Sequence, residues 1–180
     1  MTTNDTAHIP LTGTVLSLDG HLLWRLMPHR HPMMLLDGVT GYNPAERYVV
    51  AIKNVSQNDP CIQGHFPGHP IFPGSLLIEA MAQASGLLMN IEYLRNNRGL
   101  DVARLVEREF RVAPRDIPMT VLVDSKVEQL ATVLPGDRVQ LHSHLVLQRT
   151  EIGHFKVRAL AEGREVARGE MMLAYAPYTP

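Results

Sequence analysis

The sequence predicts an α+β fold in which an antiparallel sheet wraps around one long central helix. Three observations favour this class: β-rich segments come early, one long apolar helix follows, and the second half is a run of strands. At 180 residues the chain has the length of a single domain with a sizeable core. We expect a flexible N-terminal tail over residues 1–15 and one domain over residues 16–180.

The first elements are a short helix and two extended segments. Residues 18–27 have apolar side chains at helical spacing, with Asp19 as a candidate cap and Pro28 as the end of the helix. Residues 33–39, MMLLDGV, are typical of a short extended segment. Residues 47–55, RYVVAIKNV, are rich in β-branched side chains and predict a strand.

A proline-rich loop leads directly into the longest predicted helix. Residues 56–73 contain four prolines and two glycines, which predict a loop with few accessible conformations. The helix starts at Gly74, directly after Pro73, and runs to about Asn96 without a proline. Its apolar residues lie all round the helix rather than on one stripe, so we expect it to be buried.

The second half predicts four strands. Residues 95–118 are charged, and we expect an insertion or lid there. A strand is predicted over 120–130, a turn over 134–137, and two further strands joined at residues 162–163. The strand from residue 137 alternates clearly. Its predicted core residues are Val139, Leu141, Leu145 and Leu147, and its predicted solvated residues are Arg138, Gln140, His142 and His144.

Composition excludes several classes of protein. The net charge of −1 draws in neither nucleic acid nor an anionic membrane. One cysteine rules out an internal disulfide and favours a reducing compartment. The N-terminus lacks the pattern of a secretory signal, and the longest apolar stretch, about residues 76–89, is shorter than a bilayer requires. We therefore expect a soluble, cytoplasmic protein without membrane insertion.

The proline-rich loop and the helix after it carry groups suited to acid–base chemistry. His65 lies on a backbone that prolines stiffen. Gly74 has an unpaired N–H at the positive end of the helix dipole and no side chain to obstruct a carbonyl oxygen. Glu79, predicted to be buried in the second turn, would be poorly hydrated, which favours a protonated general acid. Gln83 follows one turn later and can hold that carboxyl.

The nine histidines also raise the question of a metal site. His29 and His31 are two residues apart, and His65 and His69 are four apart. A zinc pair at the wider spacing needs a helix to bring both rings to one face, and the intervening prolines forbid a helix. We predict no metal site.

Residues 63–83, QGHFPGHPIFPGSLLIEAMAQ, resemble the signature of the (3R)-hydroxyacyl-[acyl-carrier-protein] dehydratases of the FabZ type. LMPHRHPMMLLD, at 26–37, is similar to a second motif of that family. KNVS at 53–56 and VLPGD at 133–137 match in the same order. The resemblance spans about residues 22–175, and the motif at 63–83 is long and specific.

This resemblance implies a hot-dog fold and a homodimer with active sites between subunits, or a trimer of such dimers. It implies that His65 takes the α-proton of a 3-hydroxyacyl thioester. Glu79 of the partner subunit would help the hydroxyl leave as water, and the Gly74 N–H would receive the thioester carbonyl. The family uses an acyl carrier protein as partner and no metal or organic cofactor. The supporting residues would be Gln83, His29, Phe66 and Pro73.

The implied reaction converts (3R)-3-hydroxyacyl-[acyl-carrier-protein] to the trans-2-enoyl product, in fatty acid biosynthesis or in related polyketide or aryl-polyene assembly. A hot-dog acyl thioesterase and a non-catalytic acyl-binding subunit of a hetero-oligomeric dehydratase are the alternatives. The related FabA type, which also isomerises the double bond, has aspartate where this chain has Glu79. The chain departs from the FabZ pattern at Gln129 and Thr132, where phenylalanine and proline are usual, and it shows no tyrosine gate.

Overall fold

The computed structural model describes residues 18–99 and 117–176. The elements, in chain order, are α1 (Gly20–Leu26), β1 (Gly38–Asn43), β2 (Tyr48–Asn54), α2 (Gly74–Arg98), β3 (Met119–Gln129), β4 (Arg138–Arg149), β5 (Ile152–Ala161) and β6 (Arg164–Ala176). The six strands form one antiparallel sheet in the order β1-β2-β4-β5-β6-β3. Helix α2 packs against this sheet, which confirms the predicted α+β architecture.

Helix α1 forms where the sequence predicts it. The Asp19 carboxyl accepts a hydrogen bond from the Leu22 N–H at 3.0 Å and caps the first turn. The leucines at helical spacing are buried against the rest of the core. The chain becomes extended at Met27, as expected for the residue before Pro28.

The predicted strand at 47–55 is confirmed as β2, whereas the extended segment predicted at 33–39 is wrong in position. Strand β1 starts only at Gly38, and the residues before it are irregular or in a turn. β1 pairs with β2 through a register shift next to Gly41. Glycine and asparagine are residue types that strands disfavour. Because β1 contains Gly41 and Asn43, its sequence lacks the run of β-branched residues that would predict a strand.

Helix α2 forms the centre of the core, and every residue from 80 to 92 is buried. The predicted burial therefore holds for the middle of the helix, while its first turn is partly exposed. A Cβ atom at Gly86 would lie 2.5 Å from the Thr120 hydroxyl oxygen, so this glycine permits the close approach of β3. The helix ends before Gly99, whose φ is 60°. Residues 95–98, which we assigned to the insertion, belong to the last turn of α2.

The strands of the second half form as predicted, with one correction in β4. Leu141 and Leu145 are buried, but Leu147 is 41% exposed. The pairing of β4 with β5 shifts register between Leu145 and Leu147, and one extra residue in a strand reverses the side chains that follow it. The β5–β6 hairpin turns at Glu162 and Gly163, whose φ values of 48° and 79° suit a two-residue turn.

Strand β3 lies at one edge of the sheet and carries exposed apolar side chains. It pairs with β6 on one side and with no other strand among the described residues. Val121, Leu122 and Val123 are 40%, 40% and 53% exposed. A long apolar edge of this kind is a template for pairing with another chain.

The outer face of β4 is less solvated than the sequence indicates. The Tyr48 hydroxyl and the His142 Nδ1 form a hydrogen bond, and the ring of His144 packs edge-on against Tyr48 with centroids 6.3 Å apart. Burial lowers the pKa of His144 below its ordinary value, and Glu46 opposes the shift. The expectation that both histidines are solvated is therefore wrong.

We expect the free energy of unfolding to fall as the pH is lowered from about 7.5 to about 5.5. The folded protein disfavours a proton on His144, whereas the unfolded chain takes one up below about pH 6.5. In the His144→Gln variant this loss should be smaller. Urea unfolding of both proteins at the two pH values measures it, and parallel pH dependences would contradict the contribution of His144.

Two predicted segments lie wholly or mainly outside the described residues: the N-terminal tail at 1–15 and most of the insertion at 95–118. Within the described parts of the chain, no helix is long and apolar enough to cross a membrane.

Candidate functional site

The loop that carries His65 is closed by its own backbone. Phe66 and His69 exchange both backbone hydrogen bonds, at 3.1 and 2.9 Å. The Ile71 N–H donates to the His65 carbonyl at 2.9 Å, and the Phe72 N–H donates to Val133 at 2.8 Å, which ties the loop to the rest of the fold. The stiffness predicted from the prolines is thus reinforced by hydrogen bonds, and it limits the entropy lost on holding the imidazole in place.

The hydrogen bonding of the His65 ring determines which nitrogen can act as a base. Nδ1 lies 3.1 Å from the Ile71 carbonyl oxygen. A carbonyl oxygen only accepts, so Nδ1 must carry a proton, and in the neutral ring Nε2 keeps the lone pair. The ring also stacks on Phe66, with centroids 4.2 Å apart and an angle of 27° between the planes. Phe66 therefore supports the orientation of the imidazole.

Gly74 begins α2 directly after Pro73, as predicted. Pro73 is the N-cap and makes no side-chain capping bond, and the Pro73 carbonyl accepts from the Leu77 N–H at 3.0 Å. The N–H groups of the first turn consequently have no partner within the helix. No acceptor for the Gly74 N–H lies among the described residues. This end of the helix can therefore donate a hydrogen bond to an oxygen that carries partial negative charge.

The side chain of Gln129, from the end of β3, lies over this first turn. Its Nε2 donates to the Gly74 carbonyl at 3.0 Å. A Cβ atom at position 74 would come within 3.2 Å of the Gln129 amide, so a larger residue at 74 would displace it. Gln129 stands where phenylalanine is usual in the FabZ pattern, and this contact was not predicted.

Gln83 holds the Glu79 carboxyl, as the sequence predicts. Its Nε2 donates to Glu79 Oε1 at 2.8 Å and to the Met33 carbonyl at 2.6 Å, while its Oε1 accepts from the Leu35 N–H at 3.0 Å. The Leu35 N–H can only donate and the Met33 carbonyl can only accept. These two partners therefore determine which atom of the Gln83 amide is oxygen and which is nitrogen. Gln83 thus joins α2 to the loop before β1 and orients the acid.

Glu79 is less buried than the sequence predicts. Its side chain is 28% exposed in the single chain, because the first turns of α2 extend past the fully buried part of the helix. The desolvated acid that the sequence predicts therefore needs a further surface to cover this carboxyl.

His29 lies beside Glu79, with His29 Nε2 3.8 Å from Glu79 Oε1. Burial lowers the pKa of His29, while the negative charge of Glu79 raises it and Arg30 lowers it further. The result lies below the ordinary value of 6.5, so the ring is neutral near pH 7. His29, predicted only as a supporting residue, therefore has the Glu79 carboxyl as its specific neighbour.

Arg30 fixes the backbone around His29, which the sequence reasoning missed. Its guanidinium donates to three carbonyl oxygens: Met27 at 2.8 Å, His29 at 2.6 Å and Trp24 at 3.0 Å. Two of these belong to the end of α1, where carbonyl groups lack helical partners. The sequence signal that could have predicted these bonds is Arg30 itself, two residues after Pro28, where the helix was expected to end.

The candidate residues fall into two groups within one chain. The first is His65 with Phe66, Pro73 and Gly74, and the second is Glu79 with Gln83 and His29. No hydrogen bond or ion pair joins His65 to Glu79 within the described residues. Within a single protomer, His65 and Glu79 therefore have different hydrogen-bond and ion-pair partners.

The family model of the FabA-like domain matches residues 27–170. The chain belongs to the FabA-like family. FabA-like relatives include the 3-hydroxyacyl-[acyl-carrier-protein] dehydratase FabZ of Pasteurella multocida (strain Pm70), which is 34% identical over 166 residues, or 92% of this chain and 97% of the relative. The FabZ protein of Pseudoalteromonas translucida (strain TAC 125) is 36% identical over 160 residues, which cover 88% and 93% of the two chains.

Solved structures agree with the FabA-like assignment at the level of the fold. The dehydratase heterocomplex ApeI:P from Xenorhabdus doucetiae contains a chain with a TM-score of 0.65 and 21% identity, and the match covers 86% of this chain and 91% of that chain. A homologue of HP0420 from Helicobacter felis has a TM-score of 0.56 at 10% identity, with 86% and 89% covered. The hot-dog fold implied by the sequence is confirmed.

Proposed function

We propose that this protein is a hydro-lyase that dehydrates (3R)-3-hydroxyacyl-[acyl-carrier-protein] to the trans-2-enoyl thioester. Relatives named for this reaction share at least 34% of their residues with the chain over nearly their whole length. One observation supports this site for the reaction. The His65 Nδ1–H bond to Ile71 leaves Nε2 as the basic nitrogen, on a loop stiff enough to hold it.

The chemistry divides between base and acid. His65 Nε2 takes the proton from C2 of the substrate, and the electron pair of that C–H bond forms the C2–C3 double bond. The C3–O bond breaks, and the leaving hydroxyl takes a proton from Glu79 and departs as water. His65 is left as the imidazolium and Glu79 as the carboxylate, and transfer of one proton between them, through solvent, restores the starting state.

The start of α2 supplies the electrostatic part of the mechanism. Loss of the C2 proton places negative charge on the thioester oxygen. The Gly74 N–H has no acceptor among the described residues and lies at the positive end of the helix dipole, so it suits that oxygen. A donor of this kind is typically worth about 3–4 kcal/mol in the transition state.

We infer a homodimer in which His65 of one subunit meets Glu79 of the partner subunit. Two observations support it. The apolar edge of β3 can pair with the same edge of a second chain, and one protomer leaves the Glu79 carboxyl 28% exposed and without a bond to His65. The same pairing is compatible with a trimer of dimers.

The carrier protein is the proposed partner, and the proposed location is the cytoplasm. The names of the relatives support the carrier protein as partner. The single cysteine supports a reducing compartment such as the cytoplasm.

An assay that follows two products distinguishes the proposed reaction from the alternatives. Purified protein is given a panel of (3R)-3-hydroxyacyl chains on carrier protein. We expect the enoyl absorbance to rise without release of free thiol. Thiol release without enoyl product would identify a thioesterase. Activity that appears only after a second dehydratase subunit is added would identify a non-catalytic or incomplete subunit.

A further inference from the structure

The two oxygens of the Glu79 carboxyl lie in different surroundings. Oε1 accepts from Gln83 Nε2 at 2.8 Å and lies 3.8 Å from His29 Nε2. No partner of Oε2 lies among residues 18–99 and 117–176. Because an amide N–H only donates, Oε1 is an acceptor whether the acid is ionised or not. The acid proton therefore belongs on Oε2.

The two nitrogens of the His29 ring are equally distinct. Nδ1 is buried, and no hydrogen-bond partner for it lies within the described parts of the chain. Nε2 faces Oε1 of Glu79, which is an acceptor in both states of the acid. A neutral ring carries one proton, and a proton on Nε2 is the one that meets an acceptor. The surroundings of the ring thus favour the Nε2–H tautomer.

Hydrogen bonds to the backbone before and after His29 hold it in this position. Arg30 binds the carbonyl of His29 and two carbonyls before it. Gln83 binds the backbone of Met33 and Leu35 beyond it. The loop therefore cannot carry the ring away from α2 without breaking several hydrogen bonds, at least one of them to a buried side chain.

We propose that His29 is a positioning residue for Glu79, and that its Nε2–H stabilises the carboxylate that forms when Glu79 gives its Oε2 proton to the leaving hydroxyl. The inference rests on the proposed function. The proton moves from Oε2 to the hydroxyl oxygen, the C3–O electron pair leaves with the water, and the charge left on the carboxylate is shared by Oε1. No proton leaves His29. A separation of 3.8 Å is long for a hydrogen bond, but such contacts often tighten only when substrate is bound.

A pair of substitutions at His29 separates this role from simple packing. His29→Leu removes the N–H and keeps an apolar side chain, whereas His29→Gln places an amide N–H close to the position of Nε2. His31, two residues along the same loop and exposed, provides the matched control His31→Leu. We expect His29→Leu to lower kcat by about 10- to 100-fold with KM changed less than about threefold. His29→Gln should recover most of kcat, and His31→Leu should match the wild type.

Equal losses in His29→Leu and His29→Gln, or a loss confined to KM, would show that the ring only packs. Nitrogen NMR of the wild-type protein gives a second measurement that does not depend on activity. We expect a neutral His29 with its proton on Nε2 near pH 7, and a shift of its signal in Glu79→Gln. An Nδ1–H tautomer would overturn the inference. A wild-type protein that has the Nε2–H tautomer but dehydrates no substrate would instead count against the proposed function.

Discussion

Replacing His65 with alanine should lower kcat for dehydration by about 10²- to 10⁴-fold while the protein stays folded. In the proposed mechanism, the substitution removes the nitrogen that takes the C2 proton. It leaves the backbone bonds of the loop in place, since those involve the main chain of residues 65–72. Because the proposed mechanism uses the imidazole in the chemical step, the loss should lie mainly in kcat and only slightly in KM.

His69→Ala is the matched control, because His69 lies on the same loop and is exposed. Its main chain bonds to Phe66 and would survive the change. We expect it to keep nearly full activity and the melting temperature of the wild type. Turnover by His65→Ala at the wild-type rate, measured by enoyl absorbance, would remove His65 from the mechanism.

Mixed dimers of two inactive chains should recover activity. Glu79→Gln removes the acid proton but keeps a side chain of similar size beside Gln83, so its loss should be comparable to that of His65→Ala. In a heterodimer of the two variants, one site combines His65 of one chain with Glu79 of the other. In a mixed dimer purified away from the two homodimers, one of the two sites is intact, so about half of its sites should be active.

The two variants should be co-expressed with different affinity tags, and the doubly tagged dimer purified. A doubly substituted chain, His65→Ala with Glu79→Gln, paired with either single variant serves as the control and should stay inactive. Failure of the mixed dimer to recover activity, while each variant remains folded and dimeric, would place both residues of a site in one chain. That result would contradict the shared site and leave the reaction itself open to test in the wild type.

Most of the fold could be predicted because its signals are local. Asp19 caps α1 three residues from its donor, and prolines around His65 restrict the adjacent backbone. The long uninterrupted run from Gly74 predicts α2. β1 was misplaced because its strand residues include Gly41 and Asn43, whose strand conformation comes from pairing with β2 rather than from their own preference.

The candidate site was predictable in its residue types and only partly in its contacts. Gln83 and Glu79 are four residues apart on one helix, so their contact follows from helical geometry. The contact of His29 with Glu79 joins residues fifty positions apart, and no local pattern determines it. The approach of Gln129 to Gly74 likewise depends on how the end of β3 lies against the start of α2.

The sequence by itself determined the order of the elements, the stiff histidine loop before a buried helix, and the family, because each rests on neighbouring residues or on a continuous motif. Tertiary structure decided the reversal at Leu147, the partial exposure of Glu79 and the neighbour of His29. These depend on register shifts and on packing between distant segments. The direction and hydration of a side chain depend on which distant segment packs against it. The order of residues along the chain does not specify that segment.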